Sequence, residues 1–369
     1  MSITKVTDAG LNRNRIVTPL IINGDMSIAQ RGTSITGINT NTYSLDRWTT
    51  EGDDCTMTIS QDTSVPTGQG FKTSLKMDVT TANSSRDAGD VQVISQRLEG
   101  QNMQMLKYGT SSAEATTLSF WCRMSQTGTY IVRLYADDGD RHICKTFTID
   151  AADTWEKKII NIPGDTAGTI NNDNGRAMRV TWILDAGTTY TSGTLATSWA
   201  ADANANRAVG ITTGWLDSTN SDFYLTGVQW EVGEFDTNTI PSFPFESHEN
   251  NLRKCQRYFQ SLGVNSAMDV SATSDGKRLL QGQRDNSDNA SAQIICPVIT
   301  PFRTNPSVTT NQVNCRQDGT STNLNSIAVA FRGNILQVTV TNTSNFNTGD
   351  SMQLRCTGTS SYIRFDAEL

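Results

Sequence analysis

Short runs of alternating apolar and polar residues are the feature that most limits how this chain can fold. They recur from residue 16 to about residue 245, and residues 74–79 and 117–124 show the pattern clearly. A period of two places every second side chain on one face, which is typical of a half-buried β-strand. Turn-forming residues separate the runs, as in Asp-Asp-Gly-Asp at 137–140. The pattern predicts a mostly β protein with about ten short strands in an antiparallel β-sandwich, closed as a jelly roll.

The stretch from residue 21 to residue 48 is expected to organise the start of this sandwich. Its apolar beginning leads into an Asn-Gly pair at 23–24, which predicts two extended segments joined by a tight turn. Trp48 is large enough to anchor one side of the core. The Asp-Arg pair before it is expected to bond to itself or to nearby backbone. Residues 223–232 are expected to meet this stretch, with the first and last sandwich strands coming together.

The pattern changes after the proline-containing segment at 240–245. Residues 247–262 place apolar side chains such as Leu252 and Phe259 on one helical face, and Gly263 follows as a stop. Strand-like runs then return and predict a short helix followed by a second smaller β-sandwich. The predicted organisation is an N-terminal attachment arm at 1–15, the jelly roll at 16–245, a linking helix at 246–262 and a C-terminal β-domain at 263–369.

Composition narrows the classes of function. Only 18% of residues are charged, the net charge is -7, and the sequence has no cluster of Lys and Arg. Nucleic-acid partners are therefore not expected, because they require a basic surface. No apolar run approaches the roughly 20 residues that span a bilayer, so membrane insertion is not expected. The first residues lack the apolar core of a secretory signal, which predicts folding in a cytoplasm.

The cysteines and histidines offer little chemistry. The seven cysteines are scattered, and no CxxC pair occurs, so buried free thiols are expected. His142 and His248 are the two histidines, and no HExxH, GxSxG, GxGxxG or Walker motif is present. The protein is therefore predicted not to be an enzyme, although a glycosidase pair of carboxylates stays open on sequence grounds.

No cofactor is expected, with structural calcium as the one possibility. The turns at 137–140 and 172–175 are rich in oxygen ligands but lack the distal Glu of an EF-hand, so ordinary turns are the favoured interpretation. A different candidate pair is Asp25 with Glu231, which a jelly roll brings together if its first and last strands are neighbours.

The least regular segment, residues 186–222, is a candidate for binding. A loop of this length in a compact domain is usually functional. It carries Tyr190, Trp199 and Trp215. Exposed aromatic rings there would stack on the apolar faces of sugars, which makes these three residues the candidate glycan-binding site. The alternative is that they cover the open end of the sandwich.

Several ordered motifs carry a family resemblance. They are Ile22-Asn23-Gly24-Asp25-Met26-Ser27-Ile28-Ala29-Gln30-Arg31-Gly32, Tyr43-Ser44-Leu45-Asp46-Arg47-Trp48, Gln96-Arg97-Leu98-Glu99-Gly100, Thr117-Leu118-Ser119-Phe120-Trp121, Thr154-Trp155-Glu156-Lys157-Lys158, Gly227-Val228-Gln229-Trp230-Glu231-Val232-Gly233, Cys255-Gln256-Arg257-Tyr258-Phe259 and Asp366-Ala367-Glu368-Leu369. Together they cover most of residues 16–369, and the chain resembles tail-fibre and related tail proteins of tailed bacteriophages. The resemblance implies a galactose-binding-like, carbohydrate-binding-module jelly roll followed by a small β-domain, often in trimers. It carries over no binding residues, and Trp230 departs from the aliphatic residue of many relatives.

The resemblance leads to a specific expectation. It implies a virion tail-fibre or tail-tip protein, assembled in the host cytoplasm as a homotrimer. Residues 1–15 would attach it to other phage tail proteins, and its partner at the cell surface would be host polysaccharide or lipopolysaccharide. Two alternatives stay open: a purely structural tail or decoration component, and a polysaccharide depolymerase.

Overall fold

The computed structural model describes residues 19–369 apart from 53–54, 213, 264–277, 284–290, 298–299, 318–319, 323, 333–334, 343–350 and 357–360. The chain divides into two compact units. Unit 1 extends to Asn251 and includes Leu369, and unit 2 runs from Leu252 to Glu368. The predicted N-terminal arm at 1–15 lies outside the described residues.

Unit 1 is an antiparallel β-sandwich, as the alternating runs predicted. Its described strands are β1 (Ser34–Ile38), β2 (Thr42–Tyr43), β3 (Trp48–Glu51), β4 (Thr56–Asp62), β5 (Ser74–Thr81), β6 (Val91–Glu99), β7 (Thr116–Met124), β8 (Gly128–Ala136), β9 (Arg141–Ile149), β10 (Glu156–Ile162), β11 (Arg176–Ala186), β12 (Ala200–Ala201) and β13 (Asp222–Val232). Six of them form sheet A in the order β1-β4-β5-β13-β7-β10, and seven form sheet B in the order β12-β9-β8-β11-β6-β3-β2.

The short helical segments of unit 1 lie in its connections. They are the α-helix α1 (Thr188–Thr191) and the 3₁₀ helices Gly100–Asn102, Gln104–Leu106, Asn204–Asn206 and Trp215–Asp217. Three of them, together with β12, fall in the segment predicted to be irregular.

The core of unit 1 is built from the inward-facing side chains of both sheets. Trp48 is fully buried, as predicted, and its ring centroid lies 5.6 Å from that of Trp182. Phe120 of sheet A meets Trp182 edge-to-face at 5.3 Å. Aromatic pairs in this geometry add to the free energy gained from burial alone. The three rings therefore join the two sheets at the centre of the sandwich.

The opening segment, residues 20–32, does not form the predicted strands. It is a series of bends and turns in which Asn23 and Met26 have positive φ angles of 57° and 59°. The Asn23 side chain donates to the carbonyls of Ile28 and Asp46 at 2.9 and 3.0 Å, and its Oδ1 accepts from the Ile28 N–H at 2.9 Å. One buried amide thus supplies the hydrogen bonds that a neighbouring strand would have supplied.

The predicted meeting of the opening segment with the last sandwich strand is present, but without strand pairing. The Val228 N–H donates to the Gly24 carbonyl at 3.0 Å. A Cβ at Gly24 would lie 2.2 Å from the Val228 carbonyl oxygen, so only glycine allows this approach. β13 itself lies inside sheet A between β5 and β7, whereas β1 is an edge strand. The first and last strands are therefore not neighbours.

The Asp-Arg pair before Trp48 bonds to neighbouring groups, in agreement with the prediction. Asp46 accepts from the backbone N–H and the side-chain amide of Gln30, both at 2.6 Å. Arg47 donates to the Arg97 carbonyl. Both side chains are buried, so these bonds offset the loss of water.

The predicted helix is present but shorter than expected. Helix α2 runs over His248–Gln256, and the chain then forms a strand, β14 (Phe259–Gly263). Phe259 is buried at the start of this strand, and aromatic residues favour extended backbone. The helical spacing of Phe259 and Leu262 was therefore misleading, because both residues lie in a strand, in which Leu262 packs against the core of unit 2.

Unit 2 is also built from antiparallel β-structure. Its described strands after β14 are β15 (Arg278–Gln283), β16 (Ser291–Pro297), β17 (Ser307–Asn311), β18 (Val313–Gln317), β19 (Thr320–Thr322), β20 (Leu324–Arg332), β21 (Ile335–Asn342), β22 (Ser351–Cys356) and β23 (Tyr362–Asp366). One sheet has the order β14-β23-β17 and the other β19-β18-β22-β15-β16-β21-β20. The second, smaller β-domain predicted from the sequence is confirmed in its strand content.

Two further observations bear on the sequence analysis. The expectation of buried free thiols holds for five cysteines of the described chain: Cys55, Cys122, Cys144, Cys255 and Cys315. Among the described residues, no helix combines the length and the apolar character needed to cross a membrane.

Candidate functional site

The outer face of sheet B is the face turned away from the sandwich core. Along β11, Val180, Trp182 and Leu184 join the core, so the alternate residues point to the other side. Those outward positions hold Arg179 and Thr181. Strand alternation therefore places polar and charged side chains together on this face.

The loop at 187–211 covers part of the outer face. It forms a small apolar cluster with Ile131, Cys144 and Ile183 of the sheet, to which Tyr190 adds its ring. Backbone hydrogen bonds fix the loop, because the Ala208 N–H donates to Tyr190 at 2.9 Å and the Cys144 N–H donates to Ala196 at 2.7 Å. The loop is thus held as one wall of a depression.

That depression, called the groove below, has a volume of about 130 Å³. Its lining residues are Glu51, Val91, Val93, Arg133, Arg179, Thr181, Ile183, Tyr190 and Arg207. It combines an apolar floor, one aromatic ring and convergent polar groups, which is the usual composition of a small-ligand site.

Arg133 and Arg207 share one carboxylate. Asp202 accepts from Arg133 Nη2 at 2.7 Å and from Arg207 Nε at 3.1 Å, and it also bonds to Arg207 Nη2. Behind them, His142 Nδ1 lies 3.0 Å from Asp202 and 3.3 Å from Arg133 Nε. A single carboxylate facing two guanidinium groups leaves this cluster with an uncompensated positive charge.

Arg179 shares a second carboxylate, that of Asp137, with Arg176. Asp137 accepts from Arg179 Nη2 at 2.8 Å and from Arg176 Nε at 2.8 Å. The Tyr135 ring lies between the two clusters, with its centroid 4.4 Å from Arg133 and 4.5 Å from Arg179. Stacking of this kind fixes the planes of both guanidinium groups.

Burial and charge shift the ionisation of this cluster. Burial, and after it the positive charge of Arg133, lower the pKa of His142 from 6.5 to about 4, so the imidazole is neutral at pH 7. Burial also lowers the pKa of Arg133 below its usual value. Burial alone would raise the pKa of Asp202, but the Arg207 hydrogen bond and the Arg133 charge lower it below the ordinary range.

The three candidate glycan-binding residues have different positions. Tyr190 lines the groove, with its ring 5.8 Å from the Arg207 guanidinium. Trp199 is half-buried, packs against Tyr108 at 5.6 Å and donates through Nε1 to the Pro163 carbonyl at 2.7 Å.

Trp215 requires a correction. Its indole is fully buried in the main core of unit 1, so it presents no ring face to a sugar. The alternative interpretation, that a loop aromatic covers the sandwich, applies to Trp215. Its burial follows from the 3₁₀ turn at Trp215–Asp217, which carries Trp215 and Leu216 into the core together.

Both candidate calcium ligands lie in the described part of the chain. Asp25 accepts from the Ser27 hydroxyl at 3.0 Å and from the Asn251 amide at 3.1 Å. Glu231 is buried on β13 opposite Thr117. The described residues contain no group of three or more His, Cys, Asp and Glu side chains placed to hold a metal ion.

The arginines of the groove were missed by sequence reasoning. The available signal was their position inside apolar runs, because Arg133 and Arg179 alternate with core residues on β8 and β11. A charged residue in such a run must face outward or be paired. The sequence does not indicate that the two strands are neighbours, which is what brings the two arginines together.

Comparison with known proteins gives no family. No family model matches the chain, and no curated protein matches it. The tailspike protein 4 enzymatically active domain of bacteriophage CBA120 is 12% identical, covering 58% of this chain and 21% of its own, with a TM-score of 0.31. TmCBM61 in complex with β-1,4-galactotriose is 12% identical over 58% of this chain and 99% of its own, with a TM-score of 0.28.

A third similar structure is a putative sugar binding protein from Bacteroides thetaiotaomicron. It is 13% identical over 58% of this chain and 100% of its own, with a TM-score of 0.29. These similarities are too low to argue from, so the architecture given above rests on the strand pairing.

Proposed function

We propose that this protein is a non-enzymatic component of a phage tail fibre or tail tip, and that the groove on sheet B binds host surface glycan. The observation that carries the binding proposal is the groove itself. It places the Tyr190 ring beside three arginines and Glu51 over an apolar floor. A sugar presents hydroxyl groups at its rim and C–H groups on its faces, and this lining has partners for both.

The groove suits binding better than hydrolysis. Glycosidases use two carboxyl groups that flank the scissile bond. Glu51 is the one carboxylate among the described lining residues, and it is paired with Arg97 Nη2 at 2.7 Å. Asp202 and Asp137 are each held by two arginines. We therefore propose adhesion and not depolymerisation.

The tail assignment rests on the family resemblance of the sequence motifs. It includes attachment to other tail proteins through residues 1–15, a homotrimer and a place in the virion. Deletion of residues 1–15 should abolish incorporation into tails while leaving glycan binding intact. Sedimentation equilibrium of the full chain should give the mass of a trimer, and a monomer would contradict that part of the proposal.

The glycan proposal is tested on an array of bacterial surface polysaccharides and lipopolysaccharides. We expect the full-length protein to bind at least one of them, and to block phage adsorption to cells that display it. Tyr190→Ala should reduce both signals. Absence of binding across the array, together with unimpeded adsorption, would contradict glycan recognition and favour a purely structural tail component.

We also propose that Asp25 and Glu231 together bind a structural calcium ion. Thermal unfolding is measured after EDTA treatment and again after dialysis against calcium. A higher melting temperature with calcium, lost in Asp25→Asn, would support it. An unchanged melting temperature and no bound metal would end it.

A further inference from the structure

We infer that the groove recognises a carboxylate on the bound sugar, so that its ligand is an acidic glycan such as one containing a uronic acid. This inference rests on the proposed function and names the substrate class of the same site. It follows from the charge, the donor geometry and the size of the groove.

The charge of the lining is positive in a protein that is acidic overall. Arg133, Arg179 and Arg207 line the groove, and the whole chain has a net charge of -7. The only lining carboxylate is that of Glu51, among the residues described there, and Arg97 neutralises it at 2.7 Å. A cleft lined by one sign of charge with low-dielectric walls concentrates ligands of the opposite sign.

The carboxylates behind the arginines do not cancel them. Asp202 forms ion pairs with both Arg133 and Arg207. Asp137 forms ion pairs with both Arg179 and Arg176. Each shared carboxylate holds two cations in place and leaves one positive charge uncompensated. A third acid, Asp140, accepts from the Tyr135 hydroxyl at 2.7 Å and does not line the groove.

The arginines also keep free donors. In all three lining arginines the bonds to carboxylates and to His142 use Nε and Nη2. Among the described residues, these bonds leave Nη1 of each guanidinium available to a ligand. Guanidinium N–H groups match the geometry of a planar carboxylate and bind it more strongly than they bind a neutral hydroxyl.

The dimensions favour one sugar residue. A volume of about 130 Å³ is well below the 300–1,000 Å³ or so of pockets that enclose a drug-sized ligand. The groove therefore accepts one acidic residue of a longer chain. Its carboxylate would face the arginines, its ring would face Tyr190, and Glu51 Oε2 would accept from a hydroxyl.

The experiment uses paired probes. Each uronic-acid polysaccharide on the array is presented in its native form and after carboxyl reduction, which converts the acid to the neutral hexose and changes nothing else. We expect the full-length protein to bind the native form about tenfold or more tightly, because a charge-assisted bond is lost on reduction. Raising the salt concentration should weaken binding of the native form alone.

Arg207→Gln and Arg123→Gln form a matched pair of variants. Both arginine side chains are 26% exposed, both pair with an aspartate and both lie over a tyrosine ring, but Arg123 is on sheet A. Arg207→Gln should remove most of the preference for the acidic probe, and Arg123→Gln should leave it intact. Arg179→Gln gives the same test without altering the loop, and circular dichroism confirms that each variant is folded.

Each outcome decides the inference. Equal binding of native and reduced polysaccharide overturns it and leaves glycan recognition standing. Binding of no polysaccharide in either form contradicts the inference and the proposed function together. Competition by glucuronate supports a carboxylate site, whereas stronger competition by inorganic phosphate overturns the preference for a carboxylate.

Discussion

The opening segment and the groove both bury polar side chains, but they use them for different purposes. In the opening segment, Asn23 donates to two carbonyls and accepts from one N–H, all within unit 1. In the groove, Asp202 is shared by two arginines that keep further donors. The bonds of Asn23 stabilise the fold, whereas the arginines of the groove keep donors for a ligand. The two regions therefore differ in whether donors are left for a ligand, and the following changes test that contrast.

Trp48→Ala should have the largest effect. Trp48 is fully buried beside Trp182, and removing such a side chain from a core costs about 3–5 kcal/mol of unfolding free energy. Urea denaturation followed by intrinsic fluorescence measures the loss. Glycan affinity of the folded fraction should not change, because Trp48 faces away from the groove. A loss below about 1 kcal/mol would contradict its role as the central anchor.

Gly24→Ala should destabilise the protein by about 1–3 kcal/mol, since overpacking forces backbone apart. The added Cβ would meet the Val228 carbonyl oxygen at 2.2 Å. Gly89→Ala is the control, because a Cβ there meets nothing within 4 Å. Its unfolding free energy should stay within about 0.5 kcal/mol of the parent. Equal effects of the two substitutions would show that the approach to β13 is not tight.

Lowering the pH should reduce the free energy of unfolding, because His142 in the groove cluster becomes protonated. The pKa of His142 is about 4 in the folded protein and 6.5 as the ordinary value, so folding favours the neutral imidazole. Its contribution is fully present above pH 6.5 and is lost as the pH falls from 6.5 to 4, by an amount on the order of 1–3 kcal/mol.

The control for this pH effect is His142→Gln, which cannot become charged. Its stability should fall less than that of the parent between pH 6.5 and 4, in denaturation curves measured at each pH. Asp222 changes in the opposite direction, because burial and Asp78 raise its pKa to about 6. Asp222 is present in both proteins, so its contribution cancels in the comparison. Parallel pH profiles would contradict the assignment to His142.

Tyr190→Ala should have the smallest effect on stability and a clear effect on binding. Tyr190 is half-buried at the wall of the groove, and the loss of its ring should weaken glycan binding about tenfold. Tyr224→Ala is the matched control on sheet A. Tyr224 is more buried than Tyr190 and also has an arginine over its ring, at 5.0 Å from the ring centroid. Tyr224→Ala should therefore lower the unfolding free energy more than Tyr190→Ala does, and it should leave the glycan affinity unchanged.

The sequence predicted the features of the fold that depend on local pattern. Period-two runs located the sandwich strands, and the size of Trp48 identified a core anchor, because alternation and volume are properties of each segment. The helix at His248–Gln256 was predicted too long, since strand pairing of Phe259 with Asp366 is not visible locally. The same limit applies to Trp215, whose burial depends on how its loop packs.

The candidate site was predicted only in part. Tyr190 was singled out because it is an aromatic residue in a long loop, and it does line the groove. The arginines of the groove were not predicted. Arg133, Arg179 and Arg207 come from two strands and a loop that only the sheet order brings together. Charge sharing through Asp202 is likewise a property of three-dimensional proximity and leaves no motif in the sequence.

The most direct test of the central claim is hydrogen–deuterium exchange of the full-length protein with and without the polysaccharide that binds most tightly on the array. Slower exchange should be confined to β3, β6, β8, β11 and the loop at 187–211, which surround the groove. The opening segment should exchange at the same rate in both samples. Protection of the outer face of sheet A or of unit 2, with no change around the groove, would contradict the account.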